Sequence, residues 1–143
     1  AVRAGRPSAG DRDALLEARK SSHASIRYWA MTGLGLLERE APRDAIVASL
    51  NDASPTVRMA AALALFRCGN GSEQALDVLR RELQSPKEWV RLQAAIALDE
   101  IGEAARPAVP ELKDALDDTH NKYVVRVANR ALNQLLGTNN QVR

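Results

Sequence analysis

Three arginines recur at one register of the chain: Arg27, Arg58 and Arg91, directly after Ile26, Val57 and Val90. One guanidinium per copy at a fixed helical position would make a row of planar, permanently charged forks, each able to grip a carboxylate, phosphate or sulfate through two parallel hydrogen bonds. The same donors suit the carbonyls of an adjoining turn or an Asp of the next loop. The row therefore either offers an anion-binding edge or staples one copy to the next. Trp89 and Tyr123 hold equivalent places just before Val90 and Val124, and Tyr28 and Trp29 follow Arg27. Aromatics make up only 3% of the chain. Half-exposed ones are favoured binding anchors, and buried ones would fill gaps between helices. After Asp118 the acidic residues stop, while Lys122, Arg126, Arg130 and Arg143 remain. Arg126 and Arg130 share a helix face and could touch phosphate or a sulfated polysaccharide. They would equally keep a terminal helix soluble and complement its dipole. The candidate interaction surface is thus Arg27, Trp29, Arg58, Trp89, Arg91, Tyr123, Arg126 and Arg130.

Catalytic chemistry is harder to place. His23 and His120 sit in turns, without the Cys or acidic spacing of a metal site. Cys68 occupies a packing position with no histidine near it in sequence, which does not suit a nucleophile. No glycine-rich phosphate loop or paired catalytic carboxylate motif is present, so no catalytic residue, metal or cofactor is assigned. An enzyme reading would need an acidic residue facing an aromatic-lined cleft, as in base-excision glycosylases of related architecture.

The elements that carry these residues repeat. The cleanest copy is SPKEWVRLQAAIALDEIG at 85–102, with Val90, Arg91, Ala94, Ala97, Leu98 and Ile101 at helical spacing before Gly102. The same frame gives Val57, Arg58, Ala61, Ala64, Leu65 and Cys68, then Ile26, Arg27, Ala30, Gly33, Leu34 and Leu37. Downstream it gives Val124, Val125, Ala128, Ala131, Leu132 and Leu135. The last copy carries Val125 in the arginine place, with Arg126 one step later, so the row stops at three members. The leucines at 34, 65, 98 and 132 are 31, 33 and 34 residues apart, a period characteristic of stacked solenoids. Apolar and small residues three and four apart predict helices buried on two sides, whose Ala and Gly positions let neighbouring backbones approach closely.

Four such units resemble HEAT repeats, each of two antiparallel helices with the Val-Arg pair opening the second. The resemblance covers residues 11–137 and implies an all-α, right-handed α-solenoid of four helix pairs, armadillo-like in class. The repeats would span 11–40, 41–70, 71–103 and 104–137, between a linker at 1–10 and a polar, frayed tail at 138–143. Asp11 would cap the first helix and turn Leu15 and Leu16 inward. Pro42 would stand at a first helical position. Ser54 would cap the helix that Pro55 opens, and Ser85-Pro86-Lys87-Glu88 has the form of a capping box. Gly33 and Gly35 would mark close helix contact, at a cost of about 1 kcal/mol each in propensity.

Composition limits the function. The chain has 143 residues and a formal charge of +2, with a pI near 9.0. That is below the strongly basic balance of a nucleic-acid binder, and a protein partner is expected instead. A single cysteine excludes an internal disulfide and leaves the compartment open. No apolar run is long enough to span a membrane. The first residue is Ala rather than Met, as in a processed chain or a piece of a longer one.

The phrases Arg-Tyr-Trp-Ala at 27–30, Glu-Trp-Val-Arg-Leu-Gln-Ala at 88–94 and Tyr-Val-Val-Arg-Val-Ala-Asn at 123–129 carry a narrower resemblance. They are similar to the HEAT-like extension at the C-terminal end of some bacterial sulfatases. That resemblance implies a non-catalytic accessory domain of a periplasmic or secreted enzyme, with an upstream catalytic domain of the same polypeptide as its partner. The sulfatase cysteine signature itself is absent, since Cys68 is followed by Gly-Asn-Gly-Ser.

Overall fold

A computed structural model describes residues 9–142. Most of the expected linker, residues 1–8, lies outside the described residues. Among those described, the chain is helical throughout and forms four helix pairs. The first pair is α1 (Ala9–Ala18) and α2 (Ala24–Gly35). The second is α3 (Arg43–Ala48), extended by a 3-10 turn at Ser49–Asn51, and α4 (Pro55–Arg67). The third is α5 (Glu73–Leu83) and α6 (Glu88–Glu100). The fourth is α7 (Val109–Asp114), between 3-10 segments at Gly102–Ala108 and Ala115–Asp117, and α8 (Lys122–Leu136). The chain divides into two compact units, Ala1–Ala75 and Leu76–Arg143.

The core is the repeat itself. Leu34, Leu65, Leu98 and Leu132 are all buried, as are the small residues one turn earlier, Ala30, Ala61, Ala94 and Ala128. Val57, Val90 and Val124 are buried too, but Ile26, their counterpart in the first pair, is exposed. Leu15 and Leu16 of α1 are only half-buried. In the first unit α2 packs on α4. A Cβ added at Gly35 would lie 2.9 Å from the Cα of Ala64, and one at Gly33 would lie 2.7 Å from the side-chain tip of Leu15. The helix–helix approach expected from these glycines is therefore real. In the second unit α6 packs on α8, and α7 closes the pair.

Several local expectations shift. Helix α1 begins at Ala9, so Asp11 lies in its first turn rather than at its cap. Pro42 is the N-cap of α3 rather than its first residue. Ser54 stands at the N-cap of α4 but its hydroxyl caps nothing. The capping box at Ser85 does not form, because Lys87 is the N-cap of α6 and its N–H donates to Ser85 Oγ. The tail is folded back rather than frayed. Gly137 takes the left-handed conformation that lets the Thr138 N–H reach Asn133 O. The Asn140 carbonyl then accepts from the amides of Asn129 and Asn133, both at 2.9 Å.

The four turns between paired helices follow one rule. Ser21, Asp52, Ser85 and Asp118 each accept, through a side-chain oxygen, the N–H two residues on: His23, Ser54, Lys87 and His120. Such turns satisfy backbone donors that a buried helix entrance would otherwise strand. Serine and aspartate alternate along the chain, and this alternation decides what the arginines can bind.

Candidate functional site

The turn aspartates receive the arginines of the preceding pair. Within the first unit, Arg27 Nε and Nη2 donate to the two Asp52 oxygens at 2.8 and 2.9 Å, while its Nη1 donates to the carbonyls of Ser21 and Ser22. Within the second, Arg91 Nε donates to Asp118 at 2.7 Å and its Nη1 to Ser85 O at 2.9 Å. Arg58 donates to the carbonyls of Asp52 and Ala53, which belong to its own turn. The arginine side chains of the two ion pairs are 18% and 16% exposed, and the carboxylates 13% and 5%. The hydrogen bonds from Arg27 and Ser54 hold the Asp52 carboxyl below the usual carboxylate range, against the desolvation that would raise it. Arg91, with the N–H groups of His120 and Asn121, does the same for Asp118.

Of the two alternatives for the arginine row, these contacts match the staple. Arg27 and Arg91 point their forks inward, onto carboxylates and turn carbonyls of the scaffold. Further ties of this kind join α5 to α7 through Arg80 and Glu111, at 2.7 Å, and α8 to α6 through Arg130 and Asp99, at 2.5 Å. Arg106 pairs with Glu103 and donates to Leu135 O at 2.8 Å, fastening the 3-10 segment to the end of α8.

The aromatic candidates are placed differently. Trp29 and Trp89 are each 66% exposed and Tyr123 is 51% exposed, so none of the three fills the core. Trp29 meets Tyr28 edge to face, with ring centroids 5.1 Å apart. Trp89 and Tyr123 occupy the first turns of α6 and α8, which pack against each other. The Tyr123 ring lies 5.5 Å from Lys122 Nζ and 5.9 Å from the Arg126 guanidinium, within cation–π range of both. The structure thus brings Trp89, Tyr123 and Arg126 onto neighbouring first turns. It places Trp29 in the other unit and engages Arg27, Arg58, Arg91 and Arg130 in the scaffold.

One feature escaped the sequence. A groove of about 620 Å³ opens in the second unit between the start of α6 and the α7–α8 connection. Five carboxylates line it: Glu88, Glu111, Asp114, Asp117 and Asp118. The spacing of Asp114, Asp117 and Asp118 was visible, but the third pair's turn had to fold against them before they formed a wall. His120 lines the groove as well, but no Phe, Tyr or Trp does. It therefore lacks the aromatic-walled cleft that the glycosylase-like reading needs. Asp118, held as an anion by Arg91, is unsuited to donate a proton. His23 and His120 are exposed, and Cys68 is a buried free thiol. Among the described residues no group of His, Cys, Asp or Glu is arranged to hold a metal. No helix among them is long and apolar enough to cross a membrane.

The fold and its repeated turns define a class, the all-α solenoids built from paired helices. A family model of HEAT repeats matches residues 12–83 and 67–133, and the chain belongs to that family. Two solved structures similar to it are engineered proteins. One has 25% sequence identity and a TM-score of 0.58, and the match covers 90% of this chain and 63% of that one. The other has 22% identity and a TM-score of 0.56, covering 91% of this chain and 38% of that one. This chain thus spans less than two thirds of the length of either. The comparison with curated proteins gives no match. HEAT repeats typically mediate protein interactions, and their solenoids are generally non-enzymatic.

Proposed function

We propose that the chain is a non-catalytic scaffold that binds a protein through exposed aromatic anchors. The observation that carries this reading is a division of labour. The arginines of the repeat are consumed inside the scaffold, whereas Trp29, Trp89 and Tyr123 stand exposed on a chain with few aromatics. Large, stiff aromatic side chains supply much contact area with little loss of rotamer freedom, which is why they dominate binding hot spots. Within the second unit, the packed helices α6 and α8 would hold Trp89 and Tyr123 at a fixed separation.

The finer reading is a C-terminal accessory domain of a sulfatase-like hydrolase, with its catalytic domain as the partner. It rests on the phrases at 27–30, 88–94 and 123–129. The test is the reading frame upstream of Ala1. A signal peptide and a domain with the sulfatase cysteine signature support it. That domain, expressed separately, should then bind this chain and lose at least tenfold in affinity against Trp29→Ala. A start codon within a few residues of Ala1 removes the hydrolase and leaves a free-standing adaptor.

A further inference from the structure

We infer that the first turns of α6 and α8 form a docking surface for an acidic protein segment that also carries apolar side chains. The inference deepens the interaction reading above and rests on it. Three observations converge. Trp89 and Tyr123 hold the same repeat position on two helices that pack together, so they stand about one interhelix spacing, ~10 Å, apart. Both are more than half exposed. Ile96, two turns along α6 from Trp89, is exposed too and extends the apolar strip.

Cations stand beside both rings, whereas the exposed carboxylate nearest Ile96 is Glu100, one turn further along α6. Lys122 and Arg126 flank the Tyr123 ring, and Lys87 is exposed at the N-cap of α6. No carboxylate among the described residues pairs with Lys122 or Arg126 in the way that Asp99 pairs with Arg130. No acidic residue follows Asp118 in the sequence. Glu88, the acidic residue beside Trp89, lines the groove instead. Both helices also present their positive dipole ends here, and no side chain caps α6. Two exposed rings with Lys87, Lys122 and Arg126 beside them fit a segment in which Asp or Glu alternates with Leu, Phe or Trp. The apolar side chains would lie on the two rings, and the carboxylates would reach Lys87, Lys122 and Arg126. Nucleic acid or a sulfated glycan would use the cations and leave the strip uncovered, so its binding would not depend on Trp89.

The test selects peptides from a random twelve-residue library displayed on phage, using the immobilised chain. Enriched peptides are then synthesised and titrated by calorimetry. The expected binders combine Asp or Glu with aromatic or leucine residues. Their affinity should fall at least tenfold against Trp89→Ala, Tyr123→Ala and Arg126→Ala and stay unchanged against Trp29→Ala. Circular dichroism checks that each variant folds, and Trp89→Phe should retain most of the affinity. Enrichment of basic or uncharged peptides, or no enrichment, overturns the proposal. So does binding indifferent to Trp89 and Tyr123, although the interaction reading would then survive with another surface. Tighter binding of heparin or of a single-stranded oligonucleotide, equally strong in Trp89→Ala, would show a plain cationic patch and also overturn it.

Discussion

Glu38, Gly69, Gly102 and Gly137 lie one to three residues past the second helix of each pair, and all four have positive φ. Three are glycines, for which the left-handed conformation carries no Cβ clash. Glu38, at φ 53°, is the exception. An L-residue pays about 1–2 kcal/mol there. Glu38→Gly removes that strain but adds freedom to the unfolded chain, and it sacrifices whatever Glu38 itself contacts. The net expected gain is about 0.5 kcal/mol. Thermal unfolding should show it as a rise of about 2 °C in Tm for a chain of this length. Gly102, directly after a helical run, was legible in the sequence as a helix stop. Glu38 was not, because glutamate is no residue type that marks a helix stop, and only its φ reveals the shared conformation.

Helix pairing is governed by the smallest residues. At Gly35 a methyl group would meet the backbone of Ala64 on α4, which cannot move aside without shifting a helix. At Gly33 it would meet only the methyl end of Leu15, which can rotate away. Gly35→Ala should therefore destabilise by about 1–2 kcal/mol, since overpacking outweighs the propensity gained. Gly33→Ala should be neutral or slightly stabilising. Chemical denaturation of the two variants checks the contrast, and equal effects would contradict it. The helices, their order and their buried faces could be read from the 31–34 residue period, because two-sided burial leaves an unambiguous pattern of Ala and Leu. Helix entrances could not. Ser54 and Ser85 suggested side-chain caps, yet in each turn a residue two places before the N-cap takes the backbone N–H. Sequence spacing does not separate these two uses of a short polar side chain. Exposed and buried aromatics were likewise indistinguishable, since Trp89 and Tyr123 sit next to buried valines and differ from core residues only in which way one helical step points them.

For the molecule as a whole, the arginine–aspartate pairs tie stability to pH. Asp52 and Asp118 lose their protons more readily in the folded chain than in the unfolded one. Their contribution is complete above the unfolded value of about 4 and is lost as the pH falls through the lower folded values. The Tm should hold from neutral pH to about 5 and then decline as the pH falls further below 4. In Asp118→Asn, stability at pH 7 should drop by about 2 kcal/mol, as expected for hydrogen bonds to a charged group, and the acid decline should flatten. An unchanged acid slope in Asp52→Asn, Asp118→Asn combined would assign the decline to other carboxylates. The alternation of Ser21, Asp52, Ser85 and Asp118 also gives the chain a natural place to be divided. A break at 40 parts Arg27 from Asp52, and a break at 103 parts Arg91 from Asp118, Arg80 from Glu111 and Asp99 from Arg130. A break in the loop at 69–72 severs none of these. For anyone dissecting this protein into fragments, the helix pair is the visible repeat, but the doublet is the smallest piece that keeps Arg27 with Asp52 and Arg91 with Asp118.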